Sequence, residues 1–259
     1  MFLPQLLGRI EGEKLAALTC YDAGFARVLC ENAVDILLVG DSLGMTVQGH
    51  DTTLGVTLEQ MIYHTEAVAR GAQGRAFLIA DLPFGSYQQS PQQAFASAAR
   101  LLAAGANMVK LEGGTVMTDC VRFLVLRGIP VCGHLGLLPQ SVNATGYRAQ
   151  ARDDQAAARL IEDAHALEAA GAQLLVLESI PTKLAAQVSQ QLGIPSIGIG
   201  AGPHCGGQVL VLNDLLGLTE KPPRFARDFM EGAGNIAAAV RGYVVAVKAG
   251  TFPGPEHGF

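Results

Sequence analysis

The sequence is poor in charge, and what charge it has is not basic. Charged residues make up 16% of the 259 positions and the net charge is −5, so no basic footprint for nucleic acid or an anionic membrane is present. Cysteine is sparse: Cys20, Cys30, Cys120, Cys132 and Cys205 are scattered and never spaced as CxxC. That pattern predicts reduced thiols in a cytoplasmic protein and argues against a disulfide framework or a structural zinc site. No stretch approaches the run of about 18 uncharged apolar residues that a membrane span needs. The apolar run Ile236–Val247 is broken by Arg241 and followed by Lys248, and reads as a packed amphipathic helix. The N-terminal residues MFLPQLLGRIEGEK lack the basic, apolar and small-residue regions of a secretion signal. No Pro- or Ser-rich linker divides the chain, which predicts one catalytic domain over 1–259.

What the sequence does have is hydrophobicity, at 49% of residues, arranged in a recurring unit. A short Leu- or β-branched run is followed by a loop and then an Ala-rich helical pattern. Strands are expected at Lys14–Thr19, Ile36–Gly40, Ala76–Ala80, Met108–Leu111, Val131–Gly133, Leu174–Leu177, Ser196–Ile199 and Val209–Leu212. Near-continuous apolar runs of this length suit parallel strands buried on both faces. Helices are expected at Asp22–Asn32, Thr57–Ala69, Pro91–Ala104, Met117–Arg127, Asp153–Ala170, Lys183–Leu192 and Ile236–Lys248. Eight such units favour a closed (β/α)8 TIM barrel over an open doubly wound sheet.

In that architecture chemistry gathers at the C-terminal ends of the strands. Five successive strand candidates end in polar residues: Asp41-Ser42, Asp81, Lys110 with Glu112, His134, and Glu178. An aspartate after a strand can simply cap a helix, a lone histidine is often structural, and Lys110 could pair at a strand end. The joint occurrence around one mouth points instead to a functional cluster. Four carboxylates in one confined place repel unless a cation or protons offset them. Oxygen ligands from Asp41, Asp81 and Glu112 suit a hard cation such as Mg²⁺ with positions open for substrate. The turn Gly198–Gly202 resembles a phosphate loop but lacks the full GxGxxG spacing, so close backbone approach is the expected reason for its glycines. The polar stretch Gln140–Asp154 is long enough for an active-site loop and equally consistent with a surface loop.

The segments VGDSLGM (Val39–Met45), ADLPFGSY (Ala80–Tyr87), VKLEGG (Val109–Gly114), VCGHLGLLPQSV (Val131–Val142), LVLESIP (Leu175–Pro181) and IGIGAG (Ile197–Gly202) resemble the ketopantoate hydroxymethyltransferase family. The resemblance runs from about Thr19 to the C-terminal PGPEH. It implies transfer of a hydroxymethyl group from 5,10-methylenetetrahydrofolate to ketoisovalerate, giving ketopantoate for pantothenate and coenzyme A. It further implies Mg²⁺ held by Asp41, Asp81 and Glu112, keto-acid contacts from Asp41, Ser42, Asp81 and Lys110, and Glu178 as proton acceptor. Large homo-oligomeric rings, decamers, are also implied. The chain departs from the family pattern at Thr145 and Ala151, where glycine is usual, and at His204 and Gly206, where acidic or polar residues are common.

On these residues the mechanism would be enolate formation beside a ketone. Mg²⁺ would act as Lewis acid, Glu178 as base and Lys110 as a charge for the substrate anion, with Ser42 donating to the same anion and His134 either hydrogen-bonding the substrate or positioning the transferred one-carbon group. Three alternatives remain open at this level. One is a Schiff base on Lys110. Another is a metal-dependent lyase or mutase of the phosphoenolpyruvate and isocitrate lyase type. The third is a metabolite sensor that kept the barrel and lost the chemistry.

Overall fold

The protein is described by a computed structural model covering residues 1–10 and 12–259. Eight parallel strands close into a barrel in sequence order: β1 (Leu15–Thr19), β2 (Ile36–Val39), β3 (Phe77–Asp81), β4 (Met108–Glu112), β5 (Val131–Gly136), β6 (Leu174–Glu178), β7 (Ser196–Ile199) and β8 (Gly207–Leu210). The closing seam pairs Leu15 with Gly207 and Leu18 with Leu210. The expected barrel is therefore the observed one, and the open sheet is excluded.

Helix α1 (Leu3–Ile10) precedes the barrel, and α2 (Ala23–Glu31), α3 (Leu58–Ala72), α4 (Pro91–Ala103), α5 (Thr118–Val125), α6 (Asp154–Ala169), α7 (Thr182–Gln191) and α8 (Ile236–Lys248) surround it. Local chemistry starts most of these helices. The side chains of Asp22, Thr57, Ser90, Asp153 and Asn235 each accept a hydrogen bond from a backbone N–H of the first turn. Such caps satisfy donors that the helix itself cannot. Helix α8 buries Val240, Tyr243, Val244 and Val247 and leaves Arg241 exposed, as its amphipathic pattern predicts. Its Tyr243 hydroxyl lies 2.9 Å from Ala17 O and 3.0 Å from Gln208 O and shares its one proton between them, tying the helix to both strands of the seam. All five cysteines are free.

Strand parity decides which side chains enter the barrel. A cavity of about 20 Å³ inside it is lined by Ala17, Ile36, Leu38, Ile79, Lys110, Cys132, Val176, Ile197 and Val209. With a side-chain period of two, residues two positions further along those strands share the inward direction. Asp81, Glu112, His134 and Glu178 are those residues, so an apolar floor gives way to a polar rim.

Several boundaries differ from expectation. Strand β5 continues through His134, Leu135 and Gly136, because pairing with β6 carries it past residues of weak strand preference. Strand β8 starts at Gly207 and ends at Leu210, and Leu212–Leu215 is a short helix rather than strand. There the run VLVL offers no periodicity to mark the end. Helix α1 was not anticipated; its Arg9 pairs with buried Asp35 at 2.9 Å.

Gly136 illustrates how tightly the rim is built. It pairs with Glu178, adopts φ +99°, and a Cβ there would collide with the Glu178 carbonyl. Gly136→Ala is expected to cost about 2 kcal/mol or more, from backbone strain plus overpacking. Denaturant unfolding of the variant beside the parent measures this, and equal midpoints would contradict it.

Candidate active site

The register places the rim residues side by side. Asp81 on β3 is level with Lys110 on β4, Glu112 with His134 on β5, and Gly136 with Glu178 on β6. Asp41 and Ser42 follow β2 and complete the arc. Lys110 Nζ lies 3.1 Å from Asp81 Oδ1 and 3.3 Å from His134 Nδ1. His134 Nδ1 is 3.6 Å from Glu112 Oε1, and its Nε2 is 3.2 Å from Glu178 Oε2. That last approach brings charges together without an aligned hydrogen bond. Asp41 N donates to Asp81 Oδ2 at 3.1 Å, which links the first two acids. Ser42 Oγ meets the Tyr21 hydroxyl at 2.9 Å. All the residues singled out in the sequence thus lie at the barrel mouth, most of them in direct mutual contact.

Burial controls the protonation of this cluster. Asp41, Asp81, Lys110, Glu112 and His134 are all buried. Burial, with Asp81 and Glu112 nearby, pushes the Asp41 carboxyl up to about 8. Asp81 is also raised by burial, against the pull of Lys110 and the Asp41 N–H. Burial would lower Lys110, but Asp81, Glu112 and Asp41 outweigh it and hold the ammonium above its ordinary value. Glu112 is pushed up by burial and pulled down by His134, Lys110 and the Gln140 N–H, with a net lowering. Burial and Lys110 disfavour charge on His134, yet Glu112 and Glu178 leave its pKa raised.

The arrangement fits a bound cation. Among the described residues, six buried side-chain polar atoms have no hydrogen-bond partner, and Asp81 Oδ1, Glu112 Oε1 and His134 Nε2 are three of them. Each of the three lies within ion-pair distance of a neighbour, Asp81 Oδ1 of Lys110, Glu112 Oε1 of His134 and His134 Nε2 of Glu178, so charge holds them without an aligned hydrogen bond. Four carboxylates face two cationic side chains there, and a divalent cation closes that difference. Among the described residues no group of three or more His, Cys, Asp or Glu side chains is arranged to hold a metal ion as it stands.

Gln140 was missed as a site residue. Its Nε2 donates to Asp41 Oδ2 at 2.9 Å and to Leu82 O at 3.0 Å. Its backbone N donates to Glu112 Oε2 at 3.0 Å, and its Oε1 accepts from the Tyr87 hydroxyl at 2.7 Å. One buried amide thereby joins the loop after β5 to the ends of β2, β3 and β4. Its only sequence signal was its place inside the segment that follows His134. The glycine turn after β7 behaves as its sequence suggests: a Cβ on Gly200 would strike Phe225 and one on Gly202 would strike Thr182. Ala151 adopts φ +52° at a position where the family pattern has glycine.

The family model described as Ketopantoate hydroxymethyltransferase matches residues 4–255. A 3-methyl-2-oxobutanoate hydroxymethyltransferase of Thiobacillus denitrificans is 62% identical over 252 residues, covering 97% of this chain and 96% of that protein. One from Methylobacillus flagellatus is 62% identical over 250 residues, covering 96% and 95%. Among solved structures, phosphoenolpyruvate phosphomutase from Streptomyces platensis subsp. rosaceus superposes with TM-score 0.63 at 13% identity, over 84% of this chain and 83% of that one. A phosphonopyruvate hydrolase complexed with oxalate and Mg²⁺ gives 0.62 at 12% identity, over 82% and 81%. At such identities the likeness bears on the fold alone.

Two measurements test the electrostatics. A carboxyl whose folded pKa is raised from 3.8 to about 8 binds protons more tightly in the native state, so stability falls as pH rises through that window. His134, also raised, acts in the same direction, its contribution being lost as pH rises through its folded value. Chelated protein should therefore melt lower at about pH 8 than at about pH 6, and Mg²⁺ should restore more at the higher pH. A melting temperature that rises with pH in chelator would contradict this. Separately, Gln140→Ala strands the Asp41 carboxylate and the Leu82 carbonyl, while the Tyr87 hydroxyl keeps its contacts with the Glu112 backbone, and should cost about 2 kcal/mol in denaturant unfolding. The full-length match and the site it encloses agree: the chain belongs to the ketopantoate hydroxymethyltransferase family.

Proposed function

We propose that the chain transfers a hydroxymethyl group from 5,10-methylenetetrahydrofolate to ketoisovalerate (3-methyl-2-oxobutanoate), forming ketopantoate. The family match supports the reaction, and the observation that carries the chemistry is the division of the mouth into two sides. Asp41, Asp81, Lys110 and Glu112 lie along β2 to β4, while Glu178 stands on β6. Asp41, Asp81 and Glu112 would hold Mg²⁺, which when bound polarises the ketone and stabilises enolate charge.

The remaining steps belong to the chain's own residues. Lys110, kept protonated by its carboxylate neighbours, attracts the substrate carboxylate or enolate oxygen. Ser42 offers its hydroxyl to the same anion, and Asp41 and Asp81 border the keto acid. Glu178 takes the proton from C3 of the keto acid. His134, 3.2 Å from Glu178, holds that carboxylate in place and is the nearest group to share its proton. The enolate carbon then bonds to the folate's methylene carbon, the bonds from that carbon to the two folate nitrogens break, water supplies the hydroxyl oxygen of the product, and tetrahydrofolate leaves with the proton from C3 and the remaining proton of the water on its nitrogens. An ammonium held this firmly in its charged form is a poor Schiff-base nucleophile, which argues against that alternative.

The whole chain would act as one catalytic domain in the cytoplasm. Among the described residues no helix is long and apolar enough to cross a membrane. Exposed apolar side chains on the outer surface, including Phe2, Val116, Leu126 and Val245, supply area for a homo-oligomer, a decamer by family resemblance.

Glu178→Gln keeps the shape of the side chain and removes its basicity. Deuterium exchange at C3 of ketoisovalerate, followed by NMR without folate, should slow by about 10²–10⁴ while keto-acid binding persists. Exchange at the parental rate would assign the base elsewhere.

A further inference from the structure

The loop after β5 does two things at once. Its first part, Pro139–Ser141, crosses the mouth and locks onto Asp41 and Glu112 through Gln140. It then forms the short helix Val142–Thr145, turns at Gly146, and is tied to the end of β6 where Gln150 N donates to Ser179 O at 2.9 Å. Between these anchors stands Tyr147. Tyr147 is half exposed, and its hydroxyl donates to Sδ of the likewise exposed Met45 at 3.6 Å. Met45 belongs to the turn Leu43–Thr46, directly after Asp41 and Ser42. Burial raises the Tyr147 hydroxyl, and Asp41, Glu178 and Glu112 raise it further, so the hydroxyl sits in the field of both sides of the mouth.

The ring and the thioether form an uncharged, polarisable ledge beside the entrance to an acidic pocket. On the proposed reaction, the keto acid fills the floor beside Lys110, and the one-carbon donor must reach the enolate carbon from the solvent side. We infer that Tyr147 and Met45 form the stacking platform for the planar heteroaromatic ring of the one-carbon donor, a reduced pterin.

The chemistry of the surroundings agrees with that occupant. A pterin is flat, carries no negative charge on its ring and presents N–H donors, so acidic neighbours favour it. Stacking on an aromatic face and contact with a thioether supply affinity without a new charge. The anionic tail of a folate would be repelled by the mouth and has to leave it. Arg148 and Arg152, both exposed, follow Tyr147 in the same loop and offer that tail a cationic exit. This inference rests on the proposed reaction and adds to it the residues that hold the second substrate.

The test uses the full chain with Mg²⁺ and two substitutions, Tyr147→Phe and Tyr147→Leu. The steady-state KM for 5,10-methylenetetrahydrofolate is measured at saturating ketoisovalerate. Folate-free deuterium exchange at C3 reads the keto-acid half of the reaction separately. A stacking role predicts that Tyr147→Leu raises that KM about ten-fold or more, that Tyr147→Phe stays within about three-fold of the parent, and that exchange is little changed in both. If the hydroxyl only latches the loop to Met45, both variants lose equally and exchange falls with them, which overturns the platform. An unchanged KM in Tyr147→Leu, with a parent that does require the folate, overturns the platform and leaves the reaction standing. A parent with no folate-dependent turnover overturns both.

Discussion

Lys110 carries its charge into the interior, and the mouth of the barrel is organised around that fact. An ammonium out of contact with water is tolerable only beside compensating anions. Parity places Lys110 above an apolar floor, and register sets Asp81 level with it at 3.1 Å. Glu112, two residues on, faces the same way and brings a second carboxylate. Once those acids are buried they need more positive charge than one lysine supplies. His134 is held toward its protonated form, Asp41 toward its protonated form, and a place is left for a cation. Each feature follows from the one before it.

The same electrostatics separates the roles of four otherwise similar carboxylates. Glu112 is pulled low by His134, Lys110 and a backbone N–H, so it stays ionised over the neutral range. Asp41 is pushed up because burial and two neighbouring acids act on it together. A proton on Asp41 and a divalent ion among Asp41, Asp81 and Glu112 are therefore alternatives. Glu178 stands apart on β6, partly open to solvent and in contact with His134 rather than Lys110. On the proposed reaction, that separation sets the base across the mouth from the groups that would hold the substrate oxygens.

The legible part of this site was the part written into strand ends. Asp41, Asp81, Lys110, Glu112, His134 and Glu178 each close a short apolar run, and a parallel barrel brings such positions to one mouth. Inward direction followed from a period of two. The illegible part depends on contacts between distant segments. Gln140 lies 99 positions from Asp41, and nothing in its own neighbourhood marks it as buried. The extension of β5 was hidden because His134-Leu135-Gly136 has weak strand preference and is held by β6. The end of β8 was misplaced because Val209–Leu212 is uniformly apolar.

The loop after β5 shows why a polar stretch can be read two ways. Its early residue Gln140 is buried and fills its hydrogen-bonding capacity with groups that follow β2 and β3. Its later residues, from Asn143 to Arg148, are largely exposed and joined to the rest mainly by Tyr147 and Gln150. Removing a contact from the first half strands buried polar groups and is felt as lost stability. The Tyr147–Met45 contact in the second half joins exposed groups, so removing it is expected to cost little stability. A segment anchored at its start and exposed at its middle can hold one substrate's site rigid while presenting an adaptable surface to another. That distribution of order fits a reaction in which a small acid is fixed first and a large, flat donor arrives over it.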